Sequence, residues 1–141
     1  MDKNYDHIAY DLLSIDTLHH ADERFIHQYV VDAYTAQTAT HETKPIAIVL
    51  ALVGLYLHVE HHMSGREIQD IHMHLANTND HWPAVVFPHT RGSITVSTVM
   101  EKEGDKRLHM IELWAAAVWF AWKESHQVIR SFVATKLGIE Q

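Results

Sequence analysis

The chain contains no cysteine. Disulfides, a thiolate nucleophile, iron–sulfur clusters and sulfur-ligated zinc are therefore excluded, and any metal must be held by imidazole nitrogen and carboxylate oxygen. Turn-forming residues are scarce, with five glycines and three prolines in 141 residues. That is too few for an all-β fold that turns every few residues. Lysine and arginine number 11 against 18 acidic residues, and no basic run occurs, so nucleic acid is not an expected partner. The longest apolar stretch, Ile46 to Leu57, is shorter than the roughly 18 residues of a membrane span. Neither a membrane partner nor, from Met1-Asp2-Lys3-Asn4-Tyr5-Asp6, an apolar signal segment is expected. The expected location is cytoplasmic.

Histidine is what the chain has in excess. Fourteen histidines outnumber all lysines and arginines, against a net charge of −7 with every imidazole neutral. Histidine is the commonest metal ligand and the side chain that titrates nearest physiological pH. The composition points to a class of site chemistry and not to a substrate.

Helical periodicity predicts a single domain over residues 1–141, an all-α bundle of four principal helices with extra short helices and one long structured loop. A short first helix spans Tyr5 to Ser14. Asp22 caps a second, running to about Gln37, with Phe25, Val30, Val31 and Ala33 buried. Pro45, tolerated in a first turn, opens a third from about Lys44 to His62. That helix is apolar nearly all round and belongs at the centre, and its stripe Ala47, Ala51, Gly54, His58 admits a close neighbour. Ser64 and Glu67 form a capping box for a fourth helix, about Gly65 to Ala76, whose inner face carries Ile68, Ile71, His72 and Leu75. Residues Asn77 to Ser93 form the loop, with a short extended piece at Ala84 to Phe87 and Trp82 plugging the core. A short helix follows from Val96 to Lys102. Asp105 then caps the longest helix, to about Lys136, along the seam Leu108, Ile111, Ala115, Val118, Trp122, Ile129 and Phe132.

Among the histidines, His58, His61 and His62 have chelate-like spacing, but the zinc-protease motif H-E-x-x-H is absent and a polar helix end explains the pair His61-His62. His27, His58 and His72 instead project from apolar or small-residue faces of three consecutive helices. Helical bundles build metal sites from such facing positions, and these three are the predicted ligands of a divalent ion: zinc, iron, manganese or nickel. Glu23 is placed to orient His27. Asp32 and Glu60 are the candidate catalytic carboxylates, and Asp32 otherwise pairs with Lys44 or Arg66. Arg91 is a loop cation suited to an anionic substrate, or to a salt bridge with a helix.

Several segments resemble a small bacterial family of unknown function. They are Phe25-Ile26-His27-Gln28, Val31-Asp32-Ala33-Tyr34 with Gln37, Lys44-Pro45-Ile46-Ala47, Leu52 to Glu60, Gly65-Arg66, Gln69, His72-Met73, Leu75-Ala76, Trp82-Pro83 and Arg91-Gly92. The resemblance covers about Phe25 to Trp122. It groups His27, Asp32, Gln37, Lys44, His58, Arg66, Gln69 and His72 as one site and implies no particular activity. A looser likeness is to DinB-type four-helix bundles, which hold a divalent metal with three histidines. The histidine pair of their final helix is missing here, since His109 and His126 are far apart.

Three functions fit. The leading expectation is a divalent-metal-dependent enzyme of hydrolase or lyase type, with Gln37, Lys44, Arg66, Gln69 and Arg91 facing a small, anionic substrate. The second is a non-catalytic module binding a metal, a haem or a small ligand. The third is a helical homodimer whose polar cluster is structural.

Overall fold

The computed structural model describes residues 3–18 and 24–139, with side chains from Tyr5 onward. Its elements run α1 (Lys3–Leu18), α2 (His27–Thr38), α3 (Pro45–Val59), α4 (Gly65–Thr78), α5 (Val96–Met100), α6 (Gly104–Ala121) and α7 (His126–Leu137), with one 3-10 turn, Lys123–Ser125, before α7. The described residues contain no strand, and no helix among them is long and apolar enough to cross a membrane.

The core follows from α3. With isoleucine, valine, leucine and alanine on every side, this helix has no face to offer water. Val49 and Ala51 through His58 are buried, and α2, α4, α6 and α7 all pack against it. Leu52, Leu55 and Leu57 are fully buried, each worth roughly 1.5–3 kcal/mol by removal from water. Pro45 occupies the first turn after an extended Lys44, where the missing N–H would have had no partner anyway. Helices α1 and α5 lie outside this layer, α1 against α2 and α5.

Two junctions place the candidate site. The Ser64–Glu67 capping box forms as expected, fixing the start of α4. Immediately inside it, the Gly65 N–H donates to the Arg24 carbonyl, and a Cβ at Gly65 would lie 1.9 Å from the Phe25 oxygen. Only glycine lets the start of α4 touch the chain entering α2. Phe25 turns there with φ +52°, and the Arg66 guanidinium sits over its ring at 4.2 Å. Asp22, the expected cap of α2, lies outside the described residues, as do His19, His20 and Glu23.

The chain departs from expectation at its end. The long final helix is two, α6 and α7, bent at Trp122, whose backbone leaves the helical region at φ −90° and ψ 23°. Long-range bonds favour the bend: the Trp122 indole donates to the Ala36 carbonyl, and Ser125 Oγ accepts from the Val86 N–H at 2.8 Å. Asp105 does not cap; it lies inside α6, which begins two residues earlier than expected, at Gly104, with Glu103 at its N-cap and no side-chain bond there. The Ala84 to Phe87 piece pairs with no strand, and Trp82 packs half-buried against Phe132 with centroids 5.9 Å apart.

Candidate functional site

Three helices meet around Gly54. Asp32 comes from the inner face of α2, His72 from α4, and Gly54 from the middle of α3. A Cβ at Gly54 would lie 1.8 Å from Asp32 Oδ2 and 3.1 Å from His72 Nε2. The missing side chain is therefore the space that the carboxyl occupies. Gln28, one turn before Asp32, donates through its amide nitrogen to Asp32 Oδ1 at 3.0 Å, and the same nitrogen lies 3.3 Å from His72 Nδ1.

The remaining polar atom of each side chain lies near the other. Asp32 Oδ2 and His72 Nε2 are 3.9 Å apart, too far for a hydrogen bond. Both are buried, and among the described residues neither has a hydrogen-bond partner. Unpaired buried polar atoms are rare in folded proteins, and each costs about 1–3 kcal/mol. Burial pushes the Asp32 carboxyl well above the usual carboxylate range, with the Gln28 amide opposing. Burial also pushes His72 down to about 4, partly offset by the Leu50 carbonyl beside the ring. At neutral pH the imidazole is thus a free base, and the carboxyl is biased toward holding a proton.

The other expected ligands stand elsewhere. His27 lies against α1, where its Nδ1 is 3.0 Å from Thr17 Oγ1. That hydroxyl spends its hydrogen on the Leu13 carbonyl at 2.9 Å, so the ring is the donor. Thr17 thus contacts the His27 ring, and Glu23, expected to orient it, lies outside the described residues. His58 stacks on Tyr29 with centroids 3.7 Å apart, and burial, with the nearby Arg24 and His62, pushes it down to about 4. Among the described residues no three His, Asp or Glu side chains are grouped as a metal would require. His27, His58 and His72 are not brought together; only His72 reaches Asp32. The local alternative is not assembled either, since His61 Nε2 contacts the Tyr56 hydroxyl at 2.9 Å and His62 is exposed.

Glu60 lies at the far end of α3. It accepts from Trp119 Nε1 at 2.7 Å and from Arg130 Nη2 at 2.8 Å, joining α3 to α6 and α7. Hydrogen bonds and charge from Arg130, with the Trp119 bond, hold it below the usual carboxylate range against its desolvation. Arg91 and Gln37 also serve the fold. Arg91 Nη1 donates to the Ala36 carbonyl at 2.9 Å and to that of Gln37 at 3.3 Å, closing the end of α2, and its guanidinium lies over the Trp122 ring. Gln37 accepts from Trp114 Nε1 at 2.9 Å and donates to the Ile94 carbonyl at 2.7 Å. Lys44 is exposed at the start of α3, Arg66 covers Phe25, and Asp32 forms no ion pair with either of them. Gln69 is half-buried on α4.

Sequence reasoning passed over Gln28 as a site residue and read Gly54 as a helix-packing position. The signal for both was a glycine breaking a fully apolar helix at the level where a neighbouring helix carries an acid. Two clefts, of about 390 Å3 beside Arg24 and Arg107 and about 350 Å3 between Trp82 and Pro45, lie apart from this pair. No curated protein and no solved structure matches the chain. The model of a family of unknown function, DUF5946, matches residues 7–123, and the chain belongs to that family.

Proposed function

We propose that the protein binds a divalent metal ion between Asp32 and His72 and uses it in hydrolase- or lyase-type chemistry on a small substrate. The observation that carries this reading is the pair of unpartnered buried atoms, Asp32 Oδ2 and His72 Nε2, held 3.9 Å apart. Asp32 and His72 would hold the ion through these two atoms, with a small side-chain adjustment bringing both to metal-bond length, about 2.1 Å. A neutral imidazole and a carboxylate are the donors that suit zinc, iron, manganese or nickel. Gln28, bonded to the second carboxyl oxygen, orients the ligand as supporting residues at metal sites do.

A bound ion would supply Lewis-acid or metal-activated-water chemistry of the kind that serves hydrolysis or elimination, and a substrate would reach it only if the helices enclosing Asp32 and His72 opened. His27 and Glu60 have no part in this site. Burial favours a proton on Asp32; holding a metal would require that proton to leave, so uptake would rise with pH. The enclosure of both atoms favours a second reading, in which the ion is held without turnover.

The test is equilibrium dialysis of the untagged protein against each of the four metals, followed by activity assays with and without metal on activated esters and phosphomonoesters. His72→Ala and Asp32→Asn should lose the ion, whereas His27→Ala and Glu60→Gln should keep it. In the metal-free state Asp32→Asn should unfold at the same or higher temperature than wild type, since it removes a buried acid and retains an acceptor for Gln28. Wild-type protein that takes up none of these metals would end the metal reading. Uptake without turnover selects the binding module.

A further inference from the structure

Helix α1 is apolar on two faces, one buried against the rest of the fold and one exposed. Ala9, Leu13 and Thr17 are buried against the rest of the fold. On the outer side Tyr5, Ile8, Leu12 and Ile15 are each 54–59% exposed, with Leu18 beyond them. Their spacing of three, four and three is the a/d pattern by which one helix receives another. A contiguous apolar stripe of this kind on a surface marks an interaction site more often than chance exposure does.

The charges beside the stripe select the occupant. Asp11 and Asp16 lie at the flanking g and e positions, and no lysine or arginine occurs in α1 after Lys3. Asp16 already engages Arg107 at 3.3 Å, and Asp11 lies 3.7 Å from His7, both exposed. A second copy would set the same acidic flanks against these, from a chain of net charge −7, and like charges at flanking positions oppose pairing. We infer that the outer stripe of α1 is a docking seam for an amphipathic helix of another protein, aliphatic along one face and flanked by lysine or arginine. This inference is independent of the Asp32–His72 site.

The probe is a synthetic helix of about three heptads with leucine at a and d and lysine at e and g, with a matched peptide carrying glutamate at e and g. Fluorescence anisotropy should show the lysine peptide binding the wild-type protein, more weakly at higher salt, and the glutamate peptide binding at least about tenfold more weakly. The double variant Ile8→Ser/Leu12→Ser should lose binding, its fold checked by dichroism, and Asp11→Lys should narrow the preference between the peptides. Equal binding of both peptides, or binding that survives Ile8→Ser/Leu12→Ser, would overturn the inference. So would sedimentation showing a wild-type dimer that this double variant abolishes, because the occupant would then be a second copy.

Discussion

At the residue scale, the candidate site depends on an atom that is missing. Gly54 has no Cβ, and the Asp32 carboxyl fills that volume. Gly54→Ala must push the carboxyl off Gln28 or part α2 from α3. Overpacking of a tight core costs typically about 1–3 kcal/mol, and thermal unfolding should show a loss of that size together with loss of metal uptake. An unchanged melting temperature would mean that the three helices are not packed as described. The buried imidazoles make a second prediction, with a definite sign. His58 and His72 both sit near 4 when folded, against about 6.5 unfolded. The unfolded chain therefore binds more protons between these values, and the stabilisation present above about 6.5 is lost as pH falls toward 4. Asp32, raised by burial, contributes with the opposite sign in acid, so the drop in urea midpoint from pH 7.5 to pH 5 is read in an Asp32→Asn background. His58→Phe, which keeps an aromatic ring on Tyr29, should reduce that drop, and an identical pH dependence in the variant would contradict the assigned burial.

At the scale of elements, what was legible in the sequence was what neighbours in sequence decide. Pro45 and the Ser64–Glu67 box act within one turn, and both start helices where expected. The division of α6 from α7 was not legible, because Lys123-Glu124-Ser125 contains no breaking residue. The bend is held by Trp122 reaching Ala36 and by Ser125 reaching Val86, partners that local spacing cannot reveal. Arg91 is a similar case. Its sequence context suggested a substrate clamp, whereas its guanidinium closes α2 through two carbonyls. Arg91→Ala should therefore destabilise the fold by about 1–3 kcal/mol through loss of the charge-assisted hydrogen bonds to the Ala36 and Gln37 carbonyls, leaving metal affinity nearly unchanged. A variant with wild-type stability but impaired ligand binding would restore the clamp.

At the scale of the whole molecule, the all-α class and the central place of α3 follow from periodicity and from the uniformly apolar run Ile46 to Leu57. Half of the candidate site followed too. His72 and Asp32 were recognised as polar residues on inward faces, and they meet. His27 and His58 were also on inward faces, yet each met a different neighbour, Thr17 on α1 and Tyr29 on α2. Periodicity gives the direction a side chain takes from its own helix and says nothing of which helix lies opposite. The proposed divalent ion would sit where α2, α3 and α4 converge. Anomalous diffraction at the metal absorption edge, from crystals grown with the ion that dialysis selects, tests it most directly. A peak is expected about 2.1 Å from both Asp32 Oδ2 and His72 Nε2, beside Gly54 and absent from His72→Ala. A peak at His27, at His61-His62 or at Glu60 alone, with none between Asp32 and His72, would contradict it.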